Sequence, residues 1–420
     1  MQKKFIAVAV AGVLASPLAM AQTNVTISGT LNAGFESISA GGSSVTTNPV
    51  GQIGSLNSRT RVVDNLSELR FSVEEDLGGG LKAFGTIGST VDPGNSNVPA
   101  STQSGSLGSR NTGVGLRSSN WGEITLGNWD LQWHYPGMVD SIFVKGPTTS
   151  SSLGILHNNG RGARAVAQGG RYNNQIRYVS PSWNGFNVTV AYARHVEALN
   201  AVATAAQNNT NAKERTWNIV PTYNNGPWTA FYGWMKISDR TIAATGSGIL
   251  GAAGTVDVTG NRAGVAYTFP MGLKVGLIWD RLKSHETADV VATGSGSMSR
   301  TAWSLPVSYT TGPHTFGVTY ARAGSINASA SVAATNTAVK LGDNNTGAHF
   351  WTVGYQYAMS KRTNLWLNYA KISNGAGAAY DFDSNAGIGM AATALSAGLA
   401  RAGNEGADPR TIGIGLRHVF

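Results

Sequence analysis

The 420-residue chain contains no cysteine. A disulfide framework, a cysteine metal site and a cysteine nucleophile are thereby excluded, and stability has to come from backbone pairing and packing. Charge is scarce, with Asp, Glu, Lys and Arg making up 13% of the residues against about 25% in soluble domains. After residue 21 no stretch approaches the roughly 20 apolar residues that a spanning helix needs. Lys and Arg never gather in a run, so the formal charge of +9 lacks the clustering of a nucleic-acid partner, and none is expected. No recognisable nucleophile motif accompanies any of the seven His. The reading therefore contains no catalytic residue, no metal and no cofactor.

The chain has an N-terminal segment of the targeting type and is rich in glycine and interfacial aromatics. Lys3 and Lys4 precede an apolar run, Phe5 to Leu14, and Ala19-Met20-Ala21 is a small-x-small cleavage site. This predicts a signal peptide over 1–21, removed after Ala21, and a single domain over 22–420. Loss of two Lys takes the formal charge from +9 to +7. The composition includes 54 Gly, 11 Trp and 13 Tyr, which suits a barrel whose outer face meets lipid.

Periodicity is two nearly everywhere. In 350–357, Trp351, Val353, Tyr355 and Tyr357 fall on one face, and Thr352, Gly354 and Gln356 on the other. Leu365, Leu367 and Tyr369 alternate with Asn364, Asn368 and Ala370. Phe186, Val188, Val190 and Tyr192 alternate with Asn187, Thr189, Ala191 and Ala193. Phe316, Val318 and Tyr320 alternate with Thr315, Gly317 and Thr319. Successive side chains of a strand point to opposite faces, so this is the pattern of half-buried strands. Tyr223, Tyr267, Tyr309 and Tyr357 stand at strand ends, where a membrane interface lies.

Connections alternate between short and long. The tight turns are 76–80, 180–185, 224–227, 269–272, 310–313 and 358–363, and the long segments are 37–66, 91–109, 130–173, 196–213, 239–258, 285–298, 325–346 and 374–408. Short turns on one side and long loops on the other predict an all-β fold: a transmembrane antiparallel β-barrel of about 16 strands, wide enough to hold water. Closure is obligatory, because lipid leaves every unpaired backbone group of an open edge without a partner. Pro221 and Pro306 fall inside predicted strands, which calls for a bulge or shifted strand limits. The final TIGIGLRHVF alternates toward a terminal aromatic, with Ile412, Ile414, Leu416 and His418 on the face of Phe420.

These segments resemble the general porins of Gram-negative β-proteobacteria. The resemblance spans essentially all of 22–420 and is carried by VTISGTLNAGF near the start, EEDLGGGLKAFG at 74–85, NWGEITLG at 120–127, RYNNQIRYVSPSWNGFNV at 171–188, YNNGP at 223–227, MSKRT at 359–363 and the closing GLRHVF. It implies a 16-stranded barrel in the outer membrane, assembled as a homotrimer, through which small hydrophilic solutes and ions diffuse. Its partners are then outer-membrane lipids and the barrel-insertion machinery, which would read Phe420.

The resemblance also implies that the third extracellular loop, here 130–173, folds into the barrel as a constriction. It carries Asp130, Asp140, Lys145, Arg161 and Arg164. Basic residues are implied on the wall opposite. The wall arginine of a Ser-Arg motif is replaced here, since Ser67 is followed by Glu68, with Arg70 two residues on. Arg110 lies near a second basic position, Arg171 matches within RYNN, and Asn128 stands where an arginine is implied. Alternation alone puts Lys82, Arg177, Arg262 and Lys274 on the lumen face. The set predicts weak to moderate anion preference, opposed by Glu68. Rival readings are a substrate-specific channel, an adhesin displayed on long loops, a barrel enzyme and a soluble β-sandwich.

Overall fold

The computed structural model describes residues 24–42, 56–94, 107–131, 135–140, 146–157, 170–194, 214–242, 254–288, 295–331, 345–382 and 405–420. The expected signal peptide lies outside them. The fold is a closed antiparallel barrel of sixteen strands. The strands are β1 (Asn24–Gly41), β2 (Leu56–Asp64 continuing as Glu68–Gly78), β3 (Leu81–Thr90), β4 (Thr112–Ser118), β5 (Gly122–Asp130), β6 (Arg171–Val179), β7 (Phe186–Arg194) and β8 (Arg215–Asn225). They continue as β9 (Trp228–Ile242), β10 (Gly254–Thr268), β11 (Leu273–Ala288), β12 (Ser295–Thr311), β13 (His314–Ala323 continuing as Asn327–Ser331), β14 (Ala348–Ala358), β15 (Thr363–Asn374) and β16 (Asp408–Val419).

Each strand pairs with its neighbours in sequence, and the sheet closes where β1 meets β16, from Thr30↔Val419 to Gly41↔Asp408. The other edge of β1 takes both pieces of β2. Among the described residues no sheet edge is left to face lipid, as the absence of hydrogen-bonding solvent there demands. Several strands run further than the alternation suggested. β9 reaches Ile242, β10 starts at Gly254, and β11 and β12 approach each other at Ala288 and Ser295, so the corresponding loops are shorter than read.

Two turns show why the periplasmic side is tight. Gly226-Pro227 and Gly312-Pro313 each join strands through two residues, with Gly226 at φ 55° and Gly312 at φ 54°. A positive φ first and a proline second is the geometry that matches the right-handed twist of a hairpin.

The strands pass through both prolines without any register shift, which corrects the expectation of a bulge or wrong limits. Pro221 keeps its place opposite Val188 on one side, while on the other the β8–β9 ladder skips from Thr222↔Phe231 to Ile219↔Trp234. Pro306 stays opposite Thr319, and the β11–β12 ladder skips from Val275↔Val307 to Ile278↔Ser304. Each proline lacks its N–H on the side where pairing lapses.

The two faces are separated as the alternation requires. Phe35, Val114, Ile176, Leu277, Val318, Trp351, Leu367 and Ile414 are exposed on the outside. Aromatics form two belts. The periplasmic belt includes Trp228, Tyr267 and Phe269 in edge contact and His314 with Phe316, Tyr355 and Tyr357. The extracellular belt includes Trp303, Tyr320 and Trp351. Tyr309 and Trp303 lie six residues apart on β12, about 20 Å along a strand and roughly 15 Å along the membrane normal once the strand's tilt is counted, inside an apolar band ~25 Å tall.

Candidate functional site: the constricted lumen

Loop L3 joins Asp130 of β5 to Arg171 of β6, and its described parts lie inside the barrel. They comprise helix α1 (Pro136–Val139), a 3-10 turn (Thr148–Ser150) and helix α2 (Leu153–Leu156). These short elements are not stable by themselves; packing against the wall holds them. Tyr135, Val139, Leu153, Ile155 and Leu156 are buried against Phe231, Ala266, Ile278, Ala302, Ala321, Ala348, Phe350, Ala370 and Ile372. The lumen face of β9–β15 is thus apolar where the loop rests, with alanines interspersed among Phe231, Ile278, Phe350 and Ile372. Gly276 is one such notch: a side chain there would strike Val139, with Pro306 beside it.

Polar contacts fix the loop at both ends. At its far side Asn32 Nδ2 donates to Gly146 O at 3.1 Å, Thr148 N donates to Asn65 Oδ1 at 3.0 Å, and Asn368 Nδ2 donates to Ser150 Oγ at 2.9 Å. Asn65 can do this because β2 breaks at 65–67, where Leu66 adopts φ 66°. At the other end Arg262 Nε donates to Asp280 Oδ2 at 2.8 Å and Arg300 Nη2 to Asp280 Oδ1 at 3.1 Å. The same guanidinia donate to main-chain carbonyls at the end of α2: Arg300 Nη1 to Ile155 O at 2.7 Å, and Arg262 Nη2 to Leu156 O at 3.0 Å. Cations there also complement the negative end of the helix.

This placement corrects two expected pore-lining residues, Arg262 and Asp140, and gives a third, the half-buried Lys274, a partner on the loop. Arg262 faces the lumen but is 0% exposed, beneath L3. Lys274 donates its Nζ to Met138 O at 2.7 Å. Asp140 is buried and accepts a hydrogen bond from Thr319 Oγ1 at 3.3 Å. Alternation identified the face of the two bases, but only the loop's docking decides which lumen residues stay wet. His157 follows α2. Its Nδ1 is buried without a hydrogen-bond partner among the described residues, while the residue as a whole is half-buried. Burial, then the fields of Arg262 and Arg300, push its pKa down to about 3.

The wall opposite, on β2–β6, carries the remaining charges in two groups. Toward the extracellular side, Arg70 pairs with Glu68 at 2.7 Å. Arg110 donates to Thr90 Oγ1 at 3.2 Å and Ser67 O at 3.3 Å. Arg171 pairs with Asp130 at 2.9 Å and bonds Asn111 and Ser109. Asn128 donates its amide to Arg110 O at 3.2 Å. Toward the periplasm runs a ladder: Lys82 to Glu74 at 2.6 Å, Glu74 to Arg117 at 3.3 Å, Arg117 to Glu123 at 3.7 Å, and Glu123 to Arg177 at 3.2 Å. Arg117 also lies over the Phe84 ring at 4.0 Å.

Arg70, Arg110, Arg171, Lys82 and Arg177 therefore come together on one wall with Glu68. Arg161, Arg164 and Lys145 lie outside the described residues. Sequence reasoning missed Arg117, Glu74 and Glu123, although Arg117 shares the parity of Gly113 and Gly115 and could have been found by alternation. It also missed Asp280 and Arg300, whose meaning depends on a loop more than a hundred residues earlier. Phe420 ends the barrel on the outer face, its N–H donating to Gly29 O at 3.1 Å.

A family model described as Gram-negative porin matches residues 7–377. Among curated relatives, outer membrane porin protein 32 of Delftia acidovorans is 26% identical over 100% of both chains. An outer membrane porin protein of Bordetella pertussis is 26% identical over 74% of this chain and 78% of its own. Among solved structures, an anion-selective porin from Comamonas acidovorans superposes with TM-score 0.63 at 21% identity, covering 95% of this chain and 100% of that one. The trimer form of OmpT from Vibrio cholerae superposes with TM-score 0.59 at 14% identity, covering 95% and 99%.

Proposed function

The chain belongs to the Gram-negative porin family, an outer-membrane channel for passive diffusion of small hydrophilic solutes, and from that premise we propose that its pore prefers anions weakly to moderately. One observation carries the reading: on the wall facing L3, the six bases Arg70, Lys82, Arg110, Arg117, Arg171 and Arg177 outnumber the five acids Glu68, Glu74, Asp76, Glu123 and Asp130. Low-dielectric walls focus the field of such a set into the narrow water column. Loop 130–173 is the constriction. It takes its width from the buried docking of α1 and α2 and leaves the charged wall to set ion preference. The Comamonas acidovorans structure is described as anion-selective, in keeping with this reading. Reversal potential in a KCl gradient across a planar bilayer tests it, with anion preference expected. Cation preference of the unmodified protein rejects it.

The reading includes export by residues 1–21, removal after Ala21, and assembly as a homotrimer. A hollow of about 1180 Å³ on the outer face of β2–β7, lined by Phe71, Val73, Ile87, Val114, Leu126 and Ile176 among small residues, supports the trimer as its seat. Val114→Arg is expected to shift the sedimenting species in detergent from trimer to monomer; an unchanged trimer places the interface elsewhere. We read the barrel as free of covalent chemistry, as the names of its relatives describe channels. Flux should fall smoothly with solute size, whereas saturable flux of one solute would favour a specific channel.

A further inference from the structure

The lumen bases described above are each matched to an acid or a carbonyl, but the outer face carries bases that are not. On β9, β11 and β13 an outward aromatic is followed, two positions toward the extracellular side, by an outward base: Trp234 and Lys236, Trp279 and Arg281, Tyr320 and Arg322. On β7 and β8, Arg194 stands directly opposite Arg215 in the ladder, and among the described residues only Arg215 of the two is paired with an acid, Asp239 at 3.4 Å. Like charges in that position repel. Aromatic rings of this kind settle at the level of lipid headgroups, so the bases above them stand where headgroup phosphates lie.

At one point these bases form a recess. In a single rung, Lys236 is opposite Thr259, and Thr259 is opposite Lys283. Two inter-strand steps put the two lysine backbones roughly 10 Å apart, a span that flexible side chains close from both sides. Arg281 lies on the same face of β11, two residues below Lys283. Together with Ser299 they line a cavity of about 590 Å³ that opens outward. Among the described residues, Lys236, Arg281 and Lys283 have no ion-pair partner. The one acid in the recess, Asp257, already accepts a hydrogen bond from the Asp239 backbone at 2.9 Å.

We propose that this recess on β9–β12 binds a phosphate group of an anionic glycolipid headgroup in the outer leaflet. Lys236 and Lys283 clamp the phosphate oxygens, Arg281 supplies a planar fork from below, and the Thr259 and Ser299 hydroxyls complete the shell. Trp234 and Trp279, beneath, meet the acyl region of the same lipid. A free phosphate shares the headgroup's charge but not the apolar contact, so the two are separable.

The test titrates the refolded full chain in detergent with bisphosphorylated lipid A and counts bound lipid by native mass spectrometry. Retention by the unmodified protein is expected. Combined replacement Lys236→Ala, Arg281→Ala and Lys283→Ala should weaken binding on the order of a hundred-fold, about five-fold per charge, with single-channel conductance unchanged. Fully dephosphorylated lipid A should bind as weakly to the unmodified protein as the intact lipid does to the triple variant. Millimolar inorganic phosphate should leave the lipid in place. Equal affinity of the unmodified and triple-variant proteins, equal affinity for both lipids, or displacement by inorganic phosphate overturns the proposal. Where the triple variant does not refold, Lys283→Gln is expected to weaken binding and Lys283→Arg to preserve it; equal loss in both overturns the proposal as well.

Discussion

At the scale of single residues, charge in this barrel has two uses that burial separates. Arg70 is 39% exposed and paired with Glu68, so both charges act on passing ions. Glu68→Gln leaves Arg70 uncompensated within the water column. The expected outcome is a reversal potential moved toward anions, by about four-fold in permeability ratio, since one unit charge roughly 10 Å away in water acts about two-fold on each ion and in opposite directions. Asp280 has no access to water at all. Its single charge is shared by Arg262 and Arg300, which in turn hold the carbonyls of Ile155 and Leu156. Asp280→Asn strands two buried guanidinia, and breaking such a pair typically costs about 3–5 kcal/mol. The wall cannot move to relieve this, but the loop can. Single-channel recordings should therefore show a larger, noisier conductance and passage of larger sugars. Conductance equal to that of the unmodified protein would show that L3 is held without the pair. Trp366 illustrates a residue that alternation alone leaves opaque. Its flanking leucines read correctly as outward, yet the indole points inward, 0% exposed, over Gly34, Gly413 and Gly415, and donates to Asn32 Oδ1 at 2.8 Å. Three glycines make that space, Gly34 on β1 and Gly413 and Gly415 on β16, strands hundreds of residues apart in sequence.

At the scale of elements, the strands were legible and the loop's seat was not. Period-two patterning and turn residues act locally, so 350–357, 364–371 and 186–193 face as their residues dictate. The docking of α1 and α2 depends instead on which stretches of the lumen face are apolar, alanines above all, a property distributed over β9–β15. Those positions look merely wet until an element is laid on them. The same docking sets a pH dependence. In the undocked loop His157 titrates near its ordinary 6.5, whereas docked it stays neutral down to about 3. The undocked loop thus binds the proton more readily below 6.5. Docking is fully favourable above that pH and weakens as pH falls from 6.5 toward 3, by at most about ten-fold in the equilibrium per pH unit. Acidification from pH 7.5 to 4.5 should raise the frequency of wide-open events in single-channel records. His157→Leu removes the titrating group and should remove most of that dependence. Identical pH profiles for the two proteins would assign the effect to carboxylates of the wall.

For the whole molecule, stability and assembly meet at the seam between the first and last strands. β1 and β16 pair along twelve residues, and Phe420 extends the ladder past Val419 through two bonds with Gly29, at 3.0 and 3.1 Å. Its ring covers Gly29, whose missing side chain leaves the space. Deleting Phe420 removes two of many seam bonds, each worth about 1 kcal/mol net in water and more in lipid. A barrel closed by sixteen strands tolerates that thermodynamically. Refolding of the truncated chain into detergent or thin vesicles, followed by heat-modifiable migration in gels, should show a folded fraction only modestly reduced. Assembly in cells is a separate test, because any capture of the unfolded chain would precede the seam. If the terminal aromatic is the handle for that capture, the truncated chain should be nearly absent from the outer membrane while refolding well in isolation. Equal deficits in both settings would reduce Phe420 to its two hydrogen bonds and its cover over Gly29.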